Sequence, residues 1–359
     1  MIRVALTLEK TGERGGAEVL AVKLARHLRN VGFACRIVEV PRFRILEPAV
    51  QHALESKWGV LRFALFLADM LLGYWSIRLT GLGEYDAVVT LHPNCLYLRH
   101  PNMLICFLHH DRAAYDLYEY LAAMRRGIRF WALALAMRLR RILDLGTISH
   151  IRKRNPRLIA QSNNVARRLA VFWGIRPNRV IYPGGYEPSF YSAPGEYVLY
   201  VGKFDSAVKR LWMVYEAARR LPDLEFVVAG RGIPPQEPRP ANLALIVNFA
   251  DSQKADIYAR ASCVVFPAHD EDFGLVPVEA MSAGKPCIVC SDGGEAAETV
   301  VNGKTGLVVQ PTIECVVDGI RKLTQTGESM KEDCIRRARV FSWEHFLSEM
   351  ENEVRRTLE

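Results

Sequence analysis

Two carboxylates, Glu271 and Glu279, stand with seven residues between them in the run PAHDEDFGLVPVEAMSAGKPCIV, residues 267–289. Gly274 and Pro277 lie in the interval. Proline suits the first helical position, where its missing N–H would lack an intrahelical partner anyway. A glycine placed as Gly284 is closes such a helix. The pattern predicts a helix opening at Pro277, with Glu279 in its first turn beside free N–H groups that attract anions. An acid there can hold hydroxyls while the amides of Leu275 and Val276 take a phosphate. Upstream, Lys203 and Lys209 frame the turn that follows YVLYVG. Two ammonium groups at that spacing can pair with a diphosphate. The chemistry implied is recognition of a ligand that joins hydroxyls to a diphosphate. The ordinary alternatives are a first-turn glutamate that stabilises its helix unaided and two solvated lysines.

Other groups carry weaker signals. His109, His110 and Asp111 follow the apolar run MLICFL. In a parallel sheet, residues just past a strand's carboxyl end face the ligand crevice. A histidine there can bond a hydroxyl or position a reacting centre, or be a plain loop residue. Gly15-Gly16 after the first strand can let a phosphate approach the backbone. There is no G-x-G-x-x-G and no Walker loop, so neither the dinucleotide fingerprint nor the P-loop is supported. The eight cysteines have no disulfide-framework spacing. Cys287 and Cys290 form a lone C-x-x-C in an apolar run, expected to be buried core rather than a zinc or redox pair.

The elements that must position these residues alternate. Residues 2–8 read as a strand, a helix follows Gly15-Gly16, and FACRIVEV is the next strand. Further strands are expected at 86–91, 103–108 and 157–161. A second series starts near Tyr197 with YVLYVG, LEFVVAG, LALIVNF, SCVVFP and PCIVCS. Such alternation implies parallel sheets with helices on both faces. A connector rich in Pro, Ser and Gly, YEPSFYSAPGE, separates the series. The expected organisation is an α/β chain of two domains, 1–186 and 187–340, with a C-terminal helix at 341–359.

The chain has 359 residues, half of them hydrophobic, with net charge +8. Residues 121–180 hold fourteen Lys/Arg against one acid, Asp144. This suggests a polyanionic neighbour. Met1 leads straight into IRVALTL, so no secretory leader is expected. The apolar stretch 60–79 is broken by Arg62, Asp69 and Arg78, which argues against a spanning helix. Segment 124–143 has an apolar centre with Trp131 and arginines at both ends, the pattern of a helix lying on anionic lipid. The basic block lacks the interleaved aromatics of a nucleic-acid stacking surface.

From about 197 to 311 the sequence resembles retaining GT-B glycosyltransferases of family 4. The resemblance rests on VGKFDSAVKRL, FVVAGRG, IYARASCVVFPAHDEDFGLVPVEAMSAGKPCIV and GGEAAETVVNGKTGLVV, in the family's order. The first half matches more loosely, through GGAEVLAVKLARHL, FLHHDRAAYDLYEY, IAQSNNVARRL and YPGG. The resemblance implies two Rossmann-like domains facing a cleft, acceptor-binding at 1–186 and donor-binding at 187–340, with a C-terminal helix at 341–359 able to cross back to the first. It implies a nucleotide-sugar donor, a glycan or lipid-linked acceptor, no metal or other cofactor and no nucleic-acid partner. Glu279 would hold the donor ribose, Glu271 the transferred sugar, Lys203 and Lys209 the diphosphate, and Gly16 would lie beneath it. The family's active-site histidine maps to His109, with His110 as the alternative. Lys203 stands where the family usually has arginine, keeping the charge and losing the bidentate fork. The EDFG form is similar to mannosyltransferase-type members, pointing to GDP-mannose, with UDP-sugar transfer as the other reading. A basic binding module without catalysis is the remote one. The expected location is the cytoplasmic face of a membrane.

Overall fold

A computed structural model describes residues 1–9, 16–40, 59–109, 111–116, 118, 128–204 and 206–359. His110 lies outside them. The chain forms two compact units, residues 1–181 with 347–359, and residues 182–346.

In the first unit, β1 (Arg3–Glu9), α1 (Gly16–Asn30), β2 (Ala34–Val40), α2 (Gly59–Arg78), β3 (Ala87–Thr90) and β4 (Met103–Phe107) are followed by α3 (Ile128–Arg154), β5 (Arg157–Ala160), α4 (Asn163–Trp173) and β6 (Arg179–Val180). Its sheet runs β2-β1-β3-β4-β5-β6, all parallel. Strands covered on both faces need apolar residues throughout, and all five residues of β4 are buried. Ser162 caps α4 by accepting from the Val165 N–H at 3.0 Å.

The second unit contains β7 (Tyr197–Lys203), α5 (Leu211–Arg220), β8 (Phe226–Arg231), β9 (Leu243–Val247), α6 (Lys254–Ala259), β10 (Ala261–Phe266) and α7 (Leu275–Ser282). These lead into β11 (Cys287–Cys290), α8 (Glu295–Thr299), β12 (Gly306–Val309), α9 (Ile313–Thr326) and α10 (Lys331–Arg339). The strand order is β12-β11-β10-β7-β8-β9, again parallel. Both six-stranded sheets with flanking helices fit the expected α/β class. The short β6 and β12 were not foreseen: β6 has only two residues, and β12 follows directly on the glycine-rich turn at 303–306. Cys287 and Cys290 lie fully buried as free thiols within β11.

The units divide at 181/182 rather than near 186. Residues 182–186 belong with the second unit because Gly185 and Tyr186 donate their N–H groups to the Phe341 carbonyl, at 2.9 and 3.0 Å. Tyr182, Phe273 and Phe341 also pack ring against ring. The C-terminal helix, Trp343–Leu358, then returns to the first unit from Leu347 onward. Its anchor is Glu353, fully buried. Arg157 Nη2 lies 2.6 Å from it, Arg356 Nη1 2.8 Å and Arg179 Nη1 3.3 Å. Glu349 pairs with Arg179, and His27 with Glu351 at 2.9 Å. Two arginines of the basic block, Arg157 and Arg179, thus find their carboxylates on this helix.

Two helices leave apolar side chains in solvent. On α3, Trp131, Leu135, Ile142 and Leu145 are exposed at spacings that put them on one face, with Arg138 among them. On α2, Leu72 and Trp75 are exposed, as is Leu79 just past its end. Among the described residues no helix is long and apolar enough to cross a membrane.

Burial alone would raise the Glu353 pKa, but the hydrogen bond from Arg157, with help from Arg179 and Arg356, pulls it below the usual carboxylate range. Its folded value therefore lies under the unfolded one of about 4.3. The stabilisation is complete above that pH and is lost as pH falls through the folded value. Glu353→Ala should cost about 3 kcal/mol by stranding the arginines. Urea unfolding at pH 7 checks this, and the difference from wild type should shrink on acidification.

Candidate functional site

In the second sheet, β7 and β10 are neighbours at the centre. The chain continues from β7 toward β8 and β9, and from β10 toward β11 and β12 on the other side. Open α/β sheets bind ligands outside the carboxyl ends of strands at such a switch point. The segments leaving these two strands are residues 203–210 and 267–274, so Lys203, Lys209, Glu271 and Gly274 arise at one edge.

Lys209 ends a 3-10 turn, Ala207–Lys209. Its Nζ lies 2.5 Å from Glu271 Oε2 and 4.9 Å from the centre of the Phe266 ring. Both charged side chains are largely buried, 21% and 15% exposed. The Glu271 backbone is pinned: its N–H donates to Gly293 O at 3.0 Å, and its carbonyl accepts from the Glu295 N–H at 3.1 Å. Gly274 has φ of +83°, and a Cβ there would come within 3.1 Å of Ala296 Cβ and 3.4 Å of Glu271 Cγ. Lys209, Glu271 and Gly274 therefore form one close-packed group. Lys203 stands exposed at the end of β7, in register with Arg231 of β8.

The surroundings of Glu279 correct the sequence reading. Helix α7 opens at Leu275, two residues before Pro277, because left-handed Gly274 swings the chain into the helix early. Pro277 is the third helical residue, still within the turn whose N–H groups have no intrahelical acceptor. Glu279 is fifth and outside the first turn. Gly284, at φ of +69°, follows the helix end as expected. The Glu279 carboxylate is held by α6 instead of the helix terminus. Lys254 Nζ donates to Oε1 at 2.8 Å and Tyr258 Oη to Oε2 at 2.7 Å. Burial works against the Lys254 charge, but the adjacent Glu279 outweighs it and raises the lysine pKa. Burial, and after it the Glu279 charge, pushes the Tyr258 hydroxyl well above its usual value, so it remains a donor. The free amides at the start of α7, those of Leu275 and Val276, open beside Gly274.

Lys254 and Tyr258 escaped the sequence reading. Their four-residue spacing marks one helix face, but nothing in the chain says that this face meets α7. Arg210, His269 and Asp292 escaped as well. Arg210, at φ of +49°, grips Asp292 with both terminal nitrogens, at 2.8 and 2.6 Å. His269 Nδ1 lies 3.1 Å from Asp292 Oδ2. Burial would raise the Asp292 pKa, but the Arg210 bonds dominate and lower it. These residues tie the loops after β7, β10 and β11 together.

In the first unit, Gly16 opens α1 and His109 follows β4 by two residues. Among the described residues no group of three or more His, Cys, Asp or Glu is arranged to hold a metal ion.

Residues 192–341 match the family described as Glycosyl transferases group 1. This segment covers most of the second unit. The chain is 29% identical over 127 residues, 35% of its length, to the alpha-1,3/1,6-mannosyltransferase ALG2 of Dictyostelium discoideum. It is 29% identical over 230 residues, 53% of its length, to a D-inositol 3-phosphate glycosyltransferase of Rhodococcus erythropolis. The chain spans 27% and 51% of the length of these curated relatives. A sucrose-phosphate synthase from Thermosynechococcus elongatus shares the fold with a TM-score of 0.73 at 17% identity, over 99% of each chain. Anabaena HepE, solved with UDP and glucose, does so with a TM-score of 0.66 at 14% identity, over 99% of this chain and 100% of its own. The two parallel sheets thus have the GT-B architecture.

Gly274→Ala should cost about 1–2 kcal/mol from the left-handed backbone alone, and more from the Ala296 contact. Gly303→Ala, at φ of +77° in open space, isolates the first part. Thermal unfolding of the two variants should therefore rank Gly274→Ala as the more damaging.

Proposed function

We propose that the protein is a retaining glycosyltransferase that moves a hexose, mannose from GDP-mannose, to a glycan or lipid-linked acceptor at the cytoplasmic face of a membrane. The observation that carries this reading is the Lys209–Glu271 contact at the central switch point of the second sheet. A diphosphate arriving there gives Lys209 a new anionic partner and frees Glu271 oxygens for sugar hydroxyls. Glu279, oriented by Lys254 and Tyr258, holds the ribose. Cleavage places negative charge on the leaving diphosphate, and Lys203, Lys209 and the amides of Leu275 and Val276 stabilise it as it develops. Cations and a helix terminus perform this task, so the proposed step calls on no metal. The acceptor hydroxyl attacks from the face the phosphate leaves, with the departing phosphate as base. Support for mannose comes from the EDFG form and the likeness to ALG2. Support for the membrane comes from the exposed stripe on α3 within the basic block.

Lys209→Ala and Glu279→Ala should each lower turnover by about a hundredfold or more, with the fold intact by circular dichroism. Near-normal rates would defeat the assignment. Proton NMR of the product should show retained configuration. In a thermal-shift panel GDP-mannose should raise the melting temperature above any UDP- or ADP-sugar; a UDP preference would move the assignment to a UDP-sugar transferase. Sedimentation with liposomes should require anionic lipid. Salt-sensitive binding of RNA or DNA without donor consumption would instead mark a non-catalytic basic module.

A further inference from the structure

The amino edge of the first sheet, opposite its carboxyl edge, gathers cations without pairing them. Helix α2 leads into β3 and α3 into β5, so both helices end at this edge. The link from the 3-10 turn Pro93–Tyr97 to β4 arrives there too. Tyr74 of α2 ties the three elements together. Its ring packs edge-on against that of Tyr97, with 4.9 Å between centres, and a Cβ on Gly146 of α3 would lie 3.5 Å from its hydroxyl. One turn beyond Tyr74 stands Arg78, whose Nη1 donates to the Tyr74 hydroxyl at 3.2 Å. One and two turns beyond Gly146, on the same face of α3, stand His150 and Arg154. Arg99 follows Tyr97 by two residues. Four basic side chains from three elements therefore converge.

Among the described residues none of the four is paired with a carboxylate. The charge acting on Arg99 is that of Arg78, and those acting on His150 are Arg99, Arg154 and Arg78. Asp86, the acid just before β3, accepts from the Arg3 N–H at 2.7 Å instead. Arg99 is incompletely used. Its Nη1 donates to the carbonyls of Leu96 at 3.4 Å and Leu98 at 2.9 Å, while Nε and Nη2 are buried with no hydrogen-bond partner. Those two nitrogens form the edge with which a guanidinium grips an oxyanion through two parallel bonds. Buried donors are rarely left unmade. Burial, and after it Arg78, lowers the Arg99 pKa to about 10, so the group stays charged at neutral pH. Burial, followed by the three arginines, pulls His150 down to about 4, leaving a neutral ring with an N–H to donate. Helix ends account for part of the gathering: the carbonyl ends of α2 and α3 each carry about half a negative charge. Three arginines set against that total of about −1 leave about +2. A water can fill an empty hydrogen bond but cannot offset that excess; a phosphate does both. Arg78, Arg99 and His150 are half-buried and Arg154 is exposed, so solvent reaches the group.

We propose that Arg78, Arg99, His150 and Arg154 form a phosphate-binding site at the amino edge of the first sheet, on the side away from the strand ends where His109 and Gly16 arise. Trp75 and Leu79, which flank Arg78 in the chain, are exposed, so the phosphate is either a free ion or ester or the head group of a lipid. The site does not rest on the proposed transfer activity.

The test uses the full chain in phosphate-free buffer at pH 7. Inorganic phosphate is titrated in and followed through the His150 ring resonance, which is identified by its loss in His150→Asn and reports on this edge rather than on the donor site. The resonance should move saturably with phosphate and not with chloride at equal ionic strength, a comparison that needs no binding variant. Arg99→Gln should weaken phosphate by about tenfold, and Arg154→Gln, a change at an exposed helix end, by about threefold. The melting shift produced by GDP should be unchanged in both. Vesicles of phosphatidylcholine with and without phosphatidic acid separate the two sources. Arg99-dependent sedimentation with phosphatidic acid assigns the phosphate to a lipid, and phosphate binding without such sedimentation assigns it to a soluble ion or ester; either upholds the site. An equal response to chloride, a response that does not saturate, or phosphate binding by both variants equal to wild type would overturn it. A phosphate-responsive His150 in a protein that consumes no sugar nucleotide would uphold this site and defeat the transfer reading.

Discussion

Parallel strand pairing is the constraint on which the rest of the structure depends. Within each sheet every strand ends at the same edge. Loops that are far apart in the chain therefore leave the sheet side by side. Where the order reverses, between β7 and β10 and again between β1 and β3, helices depart to opposite faces and a crevice opens. The polar residues at these edges are there because sheet and helices fill the remaining space with apolar side chains. Lys209 and Glu271, 62 residues apart in sequence, meet at 2.5 Å only because β7 and β10 are neighbours.

The two edges are built differently. In the second unit the charges are paired across loops: Lys209 with Glu271, Arg210 with Asp292, Lys254 with Glu279. Each cation sits against a carboxylate that a ligand's phosphate can supplement or replace. In the first unit Arg140 is enclosed, with Asn94 and Asp144 against it and Asp111 at 3.8 Å.

Ion pairs also help to hold the C-terminal helix. The first unit holds most of the arginine-rich block, and unpaired cations on one surface repel. Glu349, Glu351 and Glu353 lie on the returning helix and meet Arg179, His27 and Arg157. The arginines left over accompany the exposed apolar stripe of α3, so the basic excess is concentrated where apolar side chains also face outward.

Much of this was legible in the chain. Alternating apolar runs and helical periodicities fixed both sheets, since burial on two faces leaves a continuous hydrophobic signature in β4, β10 and β11. The FG-x-x-P-x-E segment flagged Glu271 and Glu279, and YVGK…K flagged Lys203 and Lys209, because residue type and spacing reflect local backbone geometry. The start of α7 was misread because proline is compatible with several first-turn positions, and only the φ of Gly274 selects among them. Partnerships between elements were not legible: Lys254 and Tyr258 with Glu279, Arg210 and His269 with Asp292, Arg140 with Asp144 and Asp111. Sequence by itself determined which segments become strands or helices and which polar side chains end up at their carboxyl ends. Tertiary structure alone decided who faces whom, because a side-chain contact across a sheet depends on strand order, and strand order is a property of how the whole chain packs.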